Sequence, residues 1–168
     1  ETTGTSPTGT ISGLGWGDPT YTLETLQIAF NNNTTVTLNN YLTISSSETL
    51  TIPNGKILII APNVVLTNVG TLTNLGTLTN EGTLTNLGTG TFNNHGETTG
   101  TSPTGTISGL GWGVPPYTLA DLHNILLFTQ DVPILNNYLT ISSSETLTIP
   151  NDRTLIIAPN VVLTNLGT

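Results

Sequence analysis

The chain has 168 residues, a formal net charge of −8 and only two cations, Lys56 and Arg153, against ten carboxylates. So small a basic footprint excludes nucleic acid, whose binding relies on cations that displace phosphate counterions, and disfavours an anionic membrane surface. Cys and Met are both absent, which removes disulfides and thiolate metal ligands and leaves a chain that resists sulfur oxidation. Solubility must then come from hydroxyls and amides, a composition that points to an extracellular, virion or cell surface. No apolar stretch is long enough to insert in a bilayer.

Glu1 to Gly17 returns letter for letter from Glu97 to Gly113, and LNNYLTISSSETLTIPN from Leu38 to Asn54 recurs from Leu135 to Asn151. The offset grows from 96 to 97, so one residue is inserted between Ala120 and Leu135. The chain therefore divides into copy 1, residues 1–96, and an incomplete copy 2, residues 97–168. The absence of an initiating Met and the stop at Thr168 inside the repeat point to a mature product, a fragment or an internal segment that continues.

Each copy begins with a Gly, Thr and Pro-rich stretch, 1–20 and 97–116, which predicts turns with a loop or short edge strand. Trp16 and Trp112 lie there among glycines, where one aromatic is expected to seal the end of a core; a ligand platform is the alternative, with Tyr21 and Tyr117 beside it. A short amphipathic helix follows in 21–33 and 117–130. Leu23, Leu26 and Phe30 recur behind a Thr22 cap, and Leu119, Leu122 and Leu126 behind Thr118. The preceding prolines suit a helix start and the Asn31 to Asn33 cluster its stop. Here the copies diverge, ETLQIAFNNNTTVT against ADLHNILLFTQDVPI.

The remainder, 36–94 and 134–168, alternates apolar and polar residues in pieces of four to six broken by Ser45 to Ser47, Pro53 to Gly55 and Pro62 with Asn63. It leads into the hexapeptides NVGTLT, NLGTLT, NEGTLT and NLGTGT, which run from Asn68 to Thr91. Thr-Leu-Thr predicts a three-residue strand, with Leu72, Leu78 or Leu84 turned one way, and Asn-Gly predicts the turn. Strands so short cannot form a free hairpin sheet, but they can stack as rungs of a parallel β-solenoid. Three sides of roughly six residues close a turn of about 18. Successive hexapeptides then occupy different sides, so the Thr pairs do not form one flat grid of the ice-binding kind. Position 81, a Glu where neighbouring hexapeptides carry Val69, Leu75 and Leu87, must sit at a corner or face out.

The segment TLTIPNGKILIIAPNVVLTN with TNLGTLTNEGTLTNLGT resembles the Asn, Gly and Thr-rich β-solenoid repeats of large microbial and viral surface and fibre proteins, over about half of the chain. The resemblance implies a fold class: all-β, parallel β-solenoid (β-helix) blocks in a tandem repeat of about 97 residues, each with a short helix and a Gly-rich loop. It differs from hexapeptide acyltransferases, whose repeated aliphatic position is variable here.

Catalytic patterns are poor. His95 and His123 occupy non-equivalent positions, and the carboxylates a glycosidase or lyase would use (Glu48, Glu81, Asp121, Asp131, Glu145, Asp152) do not cluster in sequence. No calcium-loop spacing is present, and Arg153 at the position matching Lys56 argues against an isopeptide crosslink. Asn32 and Asn33 each begin a glycosylation sequon. The sequence thus predicts a protein that is not an enzyme and carries no cofactor or metal. The expected function is structural: a fibre subunit that associates head to tail by stacking rungs. Leu58, Ile60, Val64, Leu66, Leu72, Leu78 and Leu84, with Leu155, Ile157, Val161 and Leu163, would form the assembling core ladder. An adhesin or glycan-binding module acting on a host surface is the alternative, and a β-helix polysaccharide enzyme the third.

Overall fold

The computed structural model describes residues 20–159 and 161–168. It is a parallel β-solenoid of about six turns with two short helices. Helix α1 (Leu23–Asn32) starts at Thr22, whose side chain accepts from the Thr25 N–H while the Thr25 side chain accepts from the Thr22 N–H. This capping box satisfies amide groups that the first helical turn leaves free. Leu26 and Phe30 are buried, and the helix packs across the first turn of the solenoid.

That turn comprises β1 (Thr35–Leu38), β2 (Leu42–Ile44) and β3 (Thr49–Ile52). The next comprises β4 (Ile57–Ile60), β5 (Val65–Asn68) and β6 (Thr71–Asn74), and the third β7 (Thr77–Asn80), β8 (Thr83–Asn86) and β9 (Thr91–Asn94). A fourth turn is made by β10 (Glu97–Gly100) and β11 (Ser108–Gly109), with Thr104 bridged to Thr85 on the intervening side. Three parallel sheets result: β1-β4-β7-β10, β2-β5-β8 and β3-β6-β9-β11.

Thr35, Ile57, Thr77 and Glu97 stack in register, so successive turns take 22, 20 and 20 residues. Only where two-residue corners join four-residue strands throughout, from Val65 to Thr83, does a turn shrink to 18. The longer turns contain wider corners, such as Ser45 to Glu48 and Leu87 to Gly90. The two-residue corners bring the chain so close to the turn beneath that a Cβ on Gly70, Gly76 or Gly82 would strike backbone carbonyls there. Glu81, at one such corner, is exposed.

Inside, leucines stack on leucines. Leu50 and Leu72 lie under Phe92, and Leu58 lies under Leu78. Each is about 0–1% exposed, and burial of each contributes roughly 1.5–3 kcal/mol. A second set of inward columns is polar. Ile44 is followed by Asn68 and Asn86, Ile52 by Asn74 and Asn94, and Ile60 by Asn80 and Gly100. The expected surface turn residue is thus the last inward residue of its strand, because the TLTN strands are four residues long and the Asn falls on the same face as the Leu. Its Nδ2 reaches carbonyls of turns above it: Thr91 O from Asn68, Glu97 O from Asn74 and Thr101 O from Asn80. The buried Oδ1 atoms of Asn68, Asn74 and Asn80 have no partner, because the turn below offers Ile at each position.

Helix α2 (Leu119–Phe128) starts at Thr118 with a second capping box, closed by Asp121, and buries Leu122 and Leu126. The second block then begins with β12 (Ile134–Leu135), β13 (Leu139–Ile141), β14 (Ile156–Ile157) and β15 (Leu163–Asn165), with β12 paired to β14 and β13 to β15. Both cations serve the helix ends. Lys56 Nζ donates to Asn33 O after α1, and Arg153 donates to Ile125 O of α2 and to Asp131 O. Positive charge at a helix C-terminus complements its macrodipole, which accounts for the matched positions in the two copies.

Candidate functional site: solenoid ends and the block junction

The stretch 97–116, expected as loop or edge strand, is the closing turn of the first block rather than the beginning of the second. β10 and β11 pair onto β7 and β9. Leu110 is buried, and Trp112 meets Phe92 edge-on with ring centroids 6.5 Å apart. The Trp112 Nε1–H donates to Gly100 O at 3.0 Å, and the Gly113 N–H donates to Thr98 Oγ1 at 2.9 Å. Trp112 therefore packs on the end of a core with its polar atom satisfied. Trp16 lies outside the described residues.

The second block has no such closure among the described residues. Ile149 and Ile157 are each 45% exposed, whereas their counterparts Ile52 and Ile60 are 0% exposed. Leu155, Val161 and Leu163 are half-buried; Leu58, Val64 and Leu66, which match them, are buried, as are Leu72, Leu78 and Leu84 further along the column. The same side chains are thus core in one block and edge in the other, and the difference lies in the turns stacked above them.

At the other end of each block an amide clamps the helix start to the first turn. Asn40 accepts from the Tyr21 N–H and donates to Tyr21 O, and Asn137 does the same for Tyr117. Tyr21 packs against the first core. Between the blocks, His95 stacks on Tyr138 at 5.2 Å with an 18° interplanar angle, and its Nδ1 lies 2.9 Å from Asn136 O. Tyr41, the counterpart of Tyr138 in the first block, is 72% exposed. A cavity of about 430 Å³ opens at this junction, lined among others by His95, Glu97, Tyr117, Tyr138 and Glu145.

Three of the carboxylates, Glu48, Asp121 and Glu145, have local structural partners. Glu48 Oε2 accepts from the Ser45 N–H and Glu145 Oε2 from the Ser142 N–H, each at 2.8 Å. Hydrogen bonds from the backbone and then the side chain of these serines hold both carboxyls below their ordinary range. The Thr118 hydroxyl, and then its N–H, do the same for Asp121. His123 Nε2 accepts from the Thr148 N–H at 3.3 Å, on a different part of the molecule from His95. Among the described residues, no group of three or more His, Cys, Asp and Glu side chains could hold a metal ion, and no helix is long and apolar enough to cross a membrane.

No family model, curated protein or solved structure matches the chain.

Proposed function

We propose that the chain is a structural segment of an extracellular or virion-surface fibre, in which helix-capped solenoid blocks follow one another in tandem and chains associate end to end. The observation that carries this reading is the tandem of two parallel coils in one chain, each behind a capped helix and each adding turns by backbone pairing along its axis. An edge of unpaired strand groups over an apolar cross-section favours addition of further turns. The junction supports the same reading. Tyr138, in the first turn of the second block, stacks on the His95 ring of the block before it. The helices set the polarity, because α1 lies across the first turn and leaves the far end of the solenoid as the pairing edge.

Negative-stain imaging and light scattering over a rising concentration series test the proposal. End-to-end particles or filaments whose length grows with concentration are the expected result. Discrete monomers at the highest concentration would overturn it.

A further inference from the structure

One polar group at the block junction is left unused by the fold. His95 is only 8% exposed and lines the junction cavity. Its Nδ1 faces the Asn136 carbonyl oxygen, which can only accept, so Nδ1 carries the proton and Nε2 of the neutral ring holds a lone pair. Among the described residues Nε2 has no hydrogen-bond partner, and it is not one of the buried unpaired atoms, so it opens toward the solvent of the junction cavity.

Other lining groups are polar or aromatic as well. Glu97 and Glu145 supply carboxylate oxygens, of which, among the described residues, only Oε2 of Glu145 is engaged, by Ser142. Tyr117 and Tyr138 supply ring surface; Tyr138 stacks on His95 and remains 43% exposed. Neither Lys56 nor Arg153 is among the lining residues. The cavity therefore offers two carboxylates among threonine hydroxyls and asparagine amides, is flanked by aromatic rings and holds neither of the chain's two cations.

We propose that this cavity binds the end of a neutral glycan, one or two hexose units long, with hydroxyls donating to His95 Nε2, Glu97 and Glu145 and a sugar face resting on Tyr138. A volume of about 430 Å³ lies within the usual range of small-ligand pockets, about 300–1,000 Å³. Phosphate, sialate and uronate are disfavoured because the carboxylates would repel them and no cation compensates. A metal ion is disfavoured because no three-ligand set converges among the described residues. The site requires both blocks: Glu97 comes from the closing turn of the first, and Tyr117, Tyr138 and Glu145 come from the second. It does not rest on the fibre proposal, since a monomer could carry it and a fibre could lack it.

The test is an array of neutral hexose oligosaccharides beside sialylated and uronate-containing ones, followed by protein-observed NMR titration of any hit into the whole chain. A neutral oligosaccharide should shift resonances around Tyr117, Tyr138 and His95. Tyr138→Ala should weaken binding at least tenfold with melting unchanged, while Tyr138→Phe keeps the stacking surface and most of the affinity. If Tyr138→Ala proves unstable, Glu97→Gln, an exposed position, replaces it and should cost severalfold in affinity. Absence of binding to any neutral oligosaccharide at millimolar concentration overturns the proposal. So does unchanged affinity in the folded variant, or acidic glycans binding as well as neutral ones.

Discussion

Asn74 donates through Nδ2 to Asn94 Oδ1 across 2.9 Å, joining two turns of the solenoid from inside its core. The same amide group also donates to Glu97 O, so one buried side chain ties the second, third and closing turns together. Its own Oδ1 is unpaired because Ile52 occupies the position below. The column therefore has a direction, with an apolar foot and amides that reach only upward.

Asn74→Ala should destabilise the chain by about 1–3 kcal/mol, because Asn94 Oδ1 and the Glu97 carbonyl would lose a buried donor. The unpaired Asn74 oxygen is lost as well, which places the effect below that of an amide satisfied at both atoms. Chemical denaturation monitored by circular dichroism measures it. A variant as stable as the parent would show that the amide column contributes nothing net.

Two glycines separate backbone conformation from close approach. Gly88 has φ +56° and nothing within 4 Å of the place an added methyl would take, so Gly88→Ala should cost about 1–2 kcal/mol for the left-handed backbone alone. At Gly76 the added methyl would strike the carbonyl oxygens of Lys56 and Pro53, which are backbone and cannot swing aside. Gly76→Ala should therefore be the more damaging, read as the larger drop in melting temperature. The reverse order would contradict the rung spacing.

The serine-bonded carboxyls of Glu48 and Glu145 titrate lower in the folded chain than in the unfolded one. Their contribution to stability is then fully present above the ordinary glutamate range, about pH 4, and is lost as pH falls through the depressed folded values. The melting temperature should be flat near neutrality and fall below about pH 4. Both groups lie at the surface, so each effect is small and the double variant Glu48→Gln with Glu145→Gln reads it best. That variant should melt lower than the parent at neutral pH and converge with it in acid. A constant difference at every pH would exclude these carboxylates as the cause.

The helices were legible down to their caps, because Thr22 and Thr118 precede apolar residues at three- and four-residue spacing and no distant contact is needed to start a capped helix. The parallel three-sided coil was legible for a related reason: six-residue pieces with one inward Leu leave few other ways to bury it. Asparagine is where pattern and structure part. As a letter beside Gly it signals an exposed turn, yet Asn68, Asn74, Asn80 and Asn94 are each 0% exposed. Whether an Asn is turn or core depends on the length of the strand before it, and a fourth strand residue is set by pairing with the turn below.

The candidate binding site was less legible. Trp112 and Tyr117 stood out as aromatics among glycines and prolines, but only one of them lines the junction cavity. His95 and Tyr138, 43 positions apart, share no motif in the sequence. They meet because the closing turn of one block leads directly into the first turn of the next.

By itself the sequence determined the coil, its repeat, its helical caps and its scarcity of charge, since each follows from local spacing and composition. Tertiary structure decided where one block ends and the next begins. The repeated letters start at Glu97, but Glu97 to Gly100 pair with Thr77 to Asn80 and complete the preceding block. Strand pairing follows the edge that is open when a segment arrives, and that edge belongs to the turn beneath it, whatever the phase of the repeat.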